Sequence, residues 1–237
     1  MIDWYDWPGG REAMIRLGPD HGPVVIVALP LFEEANRTRT FAVTMMRALA
    51  ECGVASVLPD LPGTGESLVA LQDVTLTTMR EAHEALTLSF DAAGRRTYAV
   101  GIRSGALLDP FSLNFGRWHL APQSGEDVLR ELVRIKNAEA GGTARYDRHT
   151  IIGADEDPIR IGGQSLSSDL LADLPGALIF AGAGVAQRTV RLDSDPAPAD
   201  RKVAGAPLWR RAEPGNDIAL AEALAEDIAQ WVRTCAG

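Results

Sequence analysis

At 237 residues, the chain is long enough for one large α/β domain with a full hydrophobic core and short for two. Its formal net charge of −9 argues against nucleic acid or an anionic membrane as the main partner. The two cysteines, Cys52 and Cys235, do not have the spacing of metal ligands. The amino terminus lacks the pattern of a secretory signal, and no apolar run approaches the roughly 20 residues that cross a bilayer. We therefore expect a cytoplasmic protein with no membrane span.

Short apolar runs alternate with helical patterns along the chain. Continuous apolar runs such as 23–29 and 54–58 predict strands that are buried on both faces. The predicted strands are 11–17, 23–29, 54–58, 97–100, 118–121, 158–161, 177–180 and 189–192. The predicted helices are 38–51, 75–92, 125–136, 168–174 and 217–232. This order predicts right-handed crossovers and an α/β fold, with a mostly parallel sheet covered by helices on both faces.

Residues 137–158 lose this periodicity and become rich in glycine and polar side chains. A stretch of this kind is typical of a lid or a mobile loop that crosses the strand ends. The rest of the chain contains no internal repeat, low-complexity tract or linker. We therefore expect a single domain over residues 1–237, with a lid or loop excursion at 137–158.

A segment near the middle of the chain has the pattern of a nucleophile elbow. The strand at 97–100 leads into Gly101, Arg103 and Gly105, and a helix is expected to start with the following Ala-Leu-Leu. A strand and a helix cross closely at such a turn, so a Cβ at either glycine would clash. In a working elbow the central residue is Ser, Cys or Asp. Here it is Arg103, and a serine, Ser104, follows one position later.

The order of the loops around these strands resembles the α/β-hydrolase superfamily. Three motifs carry a narrower resemblance: Phe32-Glu-Glu-Ala-Asn36-Arg, Asp60-Leu-Pro-Gly-Thr-Gly-Glu-Ser67 and Gly101-Ile-Arg-Ser-Gly-Ala-Leu-Leu108. They are similar to the hydrolase-like proteins encoded with bacterial exosortase systems, which accompany exopolysaccharide production. Weaker likeness at 118–134 and 162–167 extends the resemblance over most of the chain. The resemblance implies an α/β-hydrolase fold, an ester- or acyl-type substrate, and an elbow arginine that is a feature of the subfamily.

Hydrolysis by this fold needs a nucleophile on the elbow, a histidine before the last helix and an acid that orients the histidine. Arg103 cannot attack a carbonyl because its guanidinium stays protonated. The loop before the last predicted helix has Asn216 and Asp217 where a histidine is expected. Asp193 and Asp195 could fill the acid position. The four histidines all lie earlier, at His21, His83, His119 and His149.

Two interpretations of Arg103 stand. In the structural one, it forms an internal ion pair with Glu33 or Glu34, whose loop should face the elbow. In the functional one, Arg103 and the elbow N–H groups bind a carboxylate or phosphate, and one of the glutamates acts as an acid or base. Ser104 is a nucleophile, a cap or oxyanion donor, or a structural serine. A nucleophilic Ser104 would place Ile102 where a small residue is needed.

Five further residues are candidate substrate contacts. Asn36 has an alternative role as the N-cap of the following helix. Asp60 has an alternative role in an Asx turn that organises the Pro-Gly-Thr-Gly loop. His119 is the histidine that we place nearest the strand ends. The five candidates are Leu31, Asn36, Asp60, His119 and Asn216.

Two functions therefore compete. The first is a hydrolase of ester- or acyl-type substrates whose catalytic residues would be Arg103, Ser104, Glu33 and Glu34. The second is a non-catalytic binding or accessory protein that retains the fold and an anion-accepting pocket. Both would bind a small molecule that carries an acyl or carboxylate group, and both need no cofactor. A homodimer is one oligomeric state that the sequence allows.

Overall fold

The structure is a computed structural model that describes residues 1–154 and 158–236. The strands are β1 (Ile2–Trp7), β2 (Gly10–Leu17), β3 (Val24–Ala28), β4 (Ala55–Pro59), β5 (Thr97–Ile102), β6 (Gly116–Leu120), β7 (Ile159–Ile161), β8 (Gln164–Leu166), β9 (Ala186–Leu192) and β10 (Arg201–Val203). The α-helices are α1 (Glu33–Glu51), α2 (Leu76–Ala92), α3 (Gly125–Ala140), α4 (Arg148–Ile152), α5 (Ser168–Asp173) and α6 (Ile218–Ala236). The 3₁₀ turns are Leu71–Asp73, Arg103–Leu107 and Leu208–Arg210.

Eight of these strands form one sheet in the order β1-β2-β4-β3-β5-β6-β9-β10. The neighbours from β4 to β10 run parallel, whereas β1 pairs with β2, and β2 with β4, in antiparallel fashion. The strands β3, β4, β5 and β6 are buried along their whole length, which is why β3, β4 and β5 are mostly apolar without alternation, whereas β6 buries Arg117 and His119. The predicted fold class, a mostly parallel sheet between helical layers, is confirmed.

Successive side chains of the central strands enter two separate cores. In β3, Val25 and Val27 pack with α1 and α6, whereas Val24 and Ile26 pack with α2 and α3. Parallel strands covered in this way place all their carboxyl ends, and the loops that follow them, at one edge of the sheet. No helix in the described part of the chain is long and apolar enough to cross a membrane.

The helix α1 begins at Glu33, five residues before the predicted start at 38. The position before it is Phe32, so the prediction that Asn36 is the N-cap is wrong, and Asn36 lies exposed inside the helix. Glu33 and Glu34 likewise belong to the first helical turn and not to a loop. Carboxylates are favourable there because the N–H groups of the first turn point towards them.

Three sheet predictions differ from the structure. Residues 177–180 form no strand; the carbonyl of Ala177 instead accepts the N–H of Gly125 at the start of α3. The strand predicted at 158–161 is β7, which pairs with β8 in a separate hairpin. The edge strands β1 and β10 were not predicted, since β1 is mostly exposed and β10 has only three residues.

The segment 137–158 contains more regular structure than predicted. Residues 137–140 complete α3, and α4 follows after a short glycine-containing turn. Ile151 of α4 is buried in the same core as α3 and α5. Residues 155–157 lie outside the described part of the chain. A lid function for this segment stays a prediction.

Candidate functional site

The turn after β5 has the tight geometry predicted for an elbow. A Cβ on Gly101 would lie 2.7 Å from the backbone nitrogen of Ala106. A Cβ on Gly105 would lie 2.4 Å from the carbonyl oxygen of Ala28. Both contacts are with backbone atoms, which cannot move aside as a flexible side chain would. The close crossing of strand and turn therefore explains both glycines.

The segment after the elbow is a 3₁₀ turn, Arg103–Leu107, and not the predicted helix. Asp109 and Pro110 follow it. The residue before a proline is disfavoured in the α conformation, and proline itself has no N–H to continue a helix. With so few aligned peptide groups, this turn provides a weaker positive end than an α-helix would.

Backbone strain is concentrated at this site. Among the described residues, the non-glycine positions with positive φ are Phe32 (61°), Arg103 (55°) and Ala121 (45°). They follow β3, β5 and β6, three neighbours in the sheet. Strained conformations of this kind cluster where a structure must hold particular groups in place.

Arg103 forms a bidentate ion pair with Glu34. Its Nε lies 3.1 Å from Oε2 of Glu34, and its Nη2 lies 3.3 Å from Oε1. Its Nη1 donates to the carbonyl of Ala121 at 3.3 Å, and the guanidinium lies 4.8 Å from the ring centre of Trp209. The side chains of Arg103 and Glu34 are only 13% and 16% exposed. A paired cation therefore occupies the central position of the elbow.

The second glutamate does not reach the elbow. Glu33 accepts a hydrogen bond from Arg37 at 2.9 Å, one turn further along α1. Arg37 also donates to the carbonyl of Trp209 at 3.1 Å. Of the two predicted partners of Arg103, the structure selects Glu34.

Ser104 is buried, with 2% of its surface exposed. Its Oγ accepts the backbone N–H of Leu31 at 2.8 Å. A backbone N–H from this loop is one of the donors that stabilise an oxyanion in hydrolases of the resembled type. In this structure the Leu31 N–H is already hydrogen-bonded to the Ser104 hydroxyl. Leu31 therefore contributes to the site through its backbone.

Asp60 organises its own loop. Its buried carboxylate accepts from Arg39 at 2.9 Å and from the N–H of Glu66 at 3.1 Å. A Cβ on Gly65 would overlap this carboxylate, at 2.2 Å from Oδ1. The structural alternative predicted for Asp60 has the right role, although the hydrogen bond spans six residues and not the two of an Asx turn.

His119 lies beside Gly101 of the elbow, one residue before the carboxyl end of β6, and is buried. Its Nε2 is 2.8 Å from Oδ2 of Asp109, whose Oδ1 accepts from Arg117 at 3.2 Å. All three side chains are at most 5% exposed. The His119 ring packs against Gly101 of the elbow so closely that a Cβ there would lie 3.0 Å from its Cδ2.

Asn216 lies exposed beside the middle of α1. Its side chain donates to Oγ1 of Thr44 at 3.1 Å and accepts the N–H of Asp217. The residue that reaches Arg103 from the loop between β10 and α6 is Trp209. Asp195, a candidate for the acid position, is paired with Arg191 at 2.7 Å.

Three hollows surround the elbow. The one that Ser104 borders has a volume of only about 30 Å³, room for one or two water molecules. A second, of about 430 Å³, lies between the loops after β3 and β4 and is lined in part by Leu31 and Asn36. The third, of about 980 Å³, lies on the Trp209 side and is lined in part by Arg103. We call this third hollow the arginine cleft, after its six arginines: Arg37, Arg103, Arg130, Arg134, Arg191 and Arg210.

Solved structures similar to this chain share one architecture. Est1E from Butyrivibrio proteoclasticus with bound ferulic acid has a TM-score of 0.63 at 15% identity, over 98% of this chain and 99% of that one. Epoxide hydrolase VrEH1 from Vigna radiata has a TM-score of 0.60 at 13% identity, over 99% and 98%. An alpha/beta hydrolase from Sphaerobacter thermophilus has a TM-score of 0.56 at 15% identity, over 97% and 100%. The chain has the α/β-hydrolase fold.

No family model matches the sequence, and no curated protein matches it either. At 13% to 15% identity, the structural likeness establishes the fold and says nothing of activity. The function must therefore be argued from the residues that this α/β-hydrolase fold brings together.

Sequence reasoning missed several of those residues. Trp209 lies in the loop before α6, where this fold carries its catalytic histidine, seven residues before the predicted candidate Asn216. Arg130 and Arg134 are four residues apart in a predicted helix, a spacing that puts both on one face. That spacing was the available signal for the arginine cleft. Nothing in the sequence pairs Arg103 with Trp209, because the contact spans distant loops.

The arrangement is poorly suited to acyl transfer. The elbow carries a paired cation, the Leu31 N–H is bonded to Ser104, and Trp209 fills space beside Arg103 from the loop before α6. What the site offers instead is a cluster of guanidinium groups at the carboxyl edge of the sheet. Guanidinium groups are well suited to binding carboxylates and phosphates.

Proposed function

We propose that this chain is a binding or accessory protein of the α/β-hydrolase fold, which accepts an anionic ligand and does not hydrolyse esters at its elbow. The observation that carries this proposal is the bidentate Arg103–Glu34 pair at the nucleophile position. A guanidinium can neither attack a carbonyl nor take up a proton as a base. It can, however, hold an anion.

The motif resemblance gives this proposal a biological setting. It links the chain to the hydrolase-like proteins of bacterial exosortase systems, in which the elbow also carries arginine. We accordingly propose a role connected with exopolysaccharide production, with a ligand that is a small molecule bearing acyl or carboxylate groups.

Hydrolysis is the second candidate, and one observation favours it. The Ser104 hydroxyl borders the small cavity and lies 2.8 Å from a backbone N–H that could serve as an oxyanion donor. For this candidate to be correct, the Ser104 hydroxyl must release the Leu31 N–H, become accessible to the substrate and acquire a general base. Its substrate would be an ester or acyl compound.

A labelling experiment separates the two candidates. Wild-type protein and Ser104→Ala are treated with a serine-reactive fluorophosphonate and assayed on a panel of esters and thioesters. We expect no labelling of native protein and the same background turnover in both forms. Labelling that mass spectrometry maps to Ser104, together with turnover that Ser104→Ala abolishes, would overturn the binding proposal in favour of the hydrolase.

A further inference from the structure

The arginine cleft is a positive site in an acidic protein. Six arginines and three carboxylates line it, and two further carboxylates, Glu33 and Asp195, pair with Arg37 and Arg191, so one positive charge is left in excess, whereas the whole chain has a formal net charge of −9. The three lining carboxylates are Glu34, Asp127 and Glu131. The arginines come from α1, the elbow, α3, β9 and the turn before α6. Five parts of the fold therefore deliver the same charge to one concave surface, and such a surface attracts anions.

The ion pairs within the cleft leave part of this charge available. Arg130 pairs with Asp127 at 3.1 Å, and Arg134 pairs with Glu131, but both arginine side chains are 70% or more exposed. Exposed pairs of this kind are weak and exchange readily with a ligand. Arg210 is exposed, and its side chain has no hydrogen bond or ion pair within the described part of the chain.

Arg191 lies deeper in the cleft. It pairs with Asp195 at 2.7 Å and donates to the carbonyl of Pro122 at 3.4 Å. Its Nε, however, is buried without a hydrogen-bond partner among the described residues. A buried donor without an acceptor costs free energy that a bound anion or water would recover.

Three arginines of the cleft influence the same carboxylate, that of Glu131. The pKa of Glu131 is held below its usual value, chiefly by the hydrogen bond from Arg134, with further lowering by the charges of Arg103 and Arg210. These three arginines belong to α3, the elbow and the turn before α6. Positive charge from three elements thus converges where Glu131 lines the cleft.

We propose that the arginine cleft binds a small molecule with two or more phosphate or carboxylate groups. This inference rests on the proposed function and deepens it, because it gives the anionic ligand a place and a chemical class. Arginine forks bind either kind of oxyanion with two parallel hydrogen bonds. Cations spread over several elements favour a ligand with several anionic groups over one with a single group. A volume of about 980 Å³ accommodates a ligand of that size.

Calorimetry with simple polyanions tests the proposal. Pyrophosphate and citrate are titrated into the full chain at low salt, with inorganic phosphate and acetate as single-group probes. We expect saturable one-to-one binding of at least one polyanion, about tenfold tighter than its single-group counterpart. Pyrophosphate as the tighter probe would identify a phosphate ligand, and citrate a carboxylate ligand. Both results support the proposal.

Matched variants show whether the ligand lies in the cleft. Arg210→Ala and Arg134→Gln should each weaken binding about tenfold, because each removes a charged hydrogen-bond donor. Arg47→Ala is the control, since Arg47 is an exposed arginine of α1 that does not line the cleft. It should change affinity less than about twofold. Circular dichroism confirms that each variant is folded.

Two results would overturn the assignment: no saturable binding of either polyanion, or equal losses for Arg47→Ala and the cleft variants. Either would reduce the arginine cleft to a solvated charged surface. Neither result bears on the proposal that the elbow does not hydrolyse esters. Fluorophosphonate labelling of Ser104 would instead refute the proposed function, whatever the calorimetry shows.

Discussion

Arg103 is held from three directions, by the carboxylate of Glu34, the carbonyl of Ala121 and the ring of Trp209. The backbone of Arg103 also has a positive φ of 55°. A residue in a strained conformation with three separate contacts is held in place by its surroundings. At the scale of single residues, the groups around the elbow bind the Arg103 guanidinium.

Glu34→Gln should destabilise the protein. It would leave the guanidinium of Arg103 mostly buried and without its anion, while the contacts with Ala121 and Trp209 remain. We expect the free energy of unfolding to fall by about 2 kcal/mol. Urea denaturation at neutral pH measures this change.

Glu131→Gln is the control for that measurement. It removes the carboxylate from the Arg134–Glu131 pair, whose arginine is 71% exposed. An exposed pair contributes less than about 1 kcal/mol. Equally small losses in Glu34→Gln and Glu131→Gln would show that the Arg103–Glu34 pair does not hold the elbow.

His83 should make stability depend on pH. It is fully buried, with Nδ1 3.0 Å from Oγ of Ser112. Its pKa is lowered from 6.5 to about 4, chiefly by burial; the charge of Asp109 opposes this shift and that of Arg117 adds to it. Below pH 6.5 the unfolded chain therefore gains a proton that the folded protein excludes. Stability from this source is complete above pH 6.5 and is lost as the pH falls towards 4.

Between pH 7 and pH 5, the His83 effect should reduce the free energy of unfolding by about 2 kcal/mol. Urea denaturation across this range measures it, and His83→Gln is the comparison because glutamine does not titrate. The variant should lose less stability than wild type over the same range. Parallel pH profiles for the two proteins would rule out His83 as the source.

At the scale of elements, the elbow depends on how closely β5 and the following turn approach β3. Gly105→Ala would place a Cβ 2.4 Å from the carbonyl oxygen of Ala28. Because this oxygen belongs to the backbone, β3 or the turn would have to move. We expect a loss of about 3 kcal/mol or more in the free energy of unfolding, measured by urea denaturation.

Gly176→Ala makes the same change at a position with no atom within 4 Å of the new Cβ and no positive φ. It should leave stability within about 1 kcal/mol of wild type. If Gly105→Ala proved as harmless as Gly176→Ala, the crossing at the elbow would be looser than the structure shows.

The elements that were predicted well are those whose own sequence determines them. β3 and β5 are continuous apolar runs, and α6 carries a regular apolar stripe. The start of α1 was predicted too late because Phe32, at its N-cap position, makes no side-chain capping bond. The turn Arg103–Leu107 does not continue as the predicted helix, because Pro110 follows it within three residues.

At the scale of the whole molecule, charge is unevenly distributed. The arginine cleft is positive in a chain of formal net charge −9. Raising NaCl from 50 to 500 mM shortens the screening length from roughly 14 Å to roughly 4 Å. We expect the affinity for pyrophosphate to fall by about tenfold or more over this range, measured by calorimetry. Arg210→Ala should show a weaker salt dependence, and an affinity unaffected by salt would argue against electrostatic binding.

The fold could be predicted because strand and helix patterns are local, and their order restricts the topology. The elbow glycines could be predicted because their spacing is a local pattern, although the backbone that crowds Gly105 belongs to β3. The candidate site could be predicted only in part. Glu34 was one of two named partners of Arg103, but the contact joins residues 69 positions apart, and local patterns did not distinguish Glu34 from Glu33. Trp209 was missed because its role exists only in the folded chain.

The central claim is that a paired cation occupies the elbow of this α/β-hydrolase fold. Hydrogen–deuterium exchange of the Arg103 Nε–H, followed in NMR spectra of the arginine side chains, tests it directly. We predict exchange about tenfold or more slower than for the exposed Arg210, and a return to rapid exchange in Glu34→Gln. If the Arg103 Nε–H exchanged as fast as that of Arg210 in the wild-type protein, the elbow would be open and the claim would be wrong.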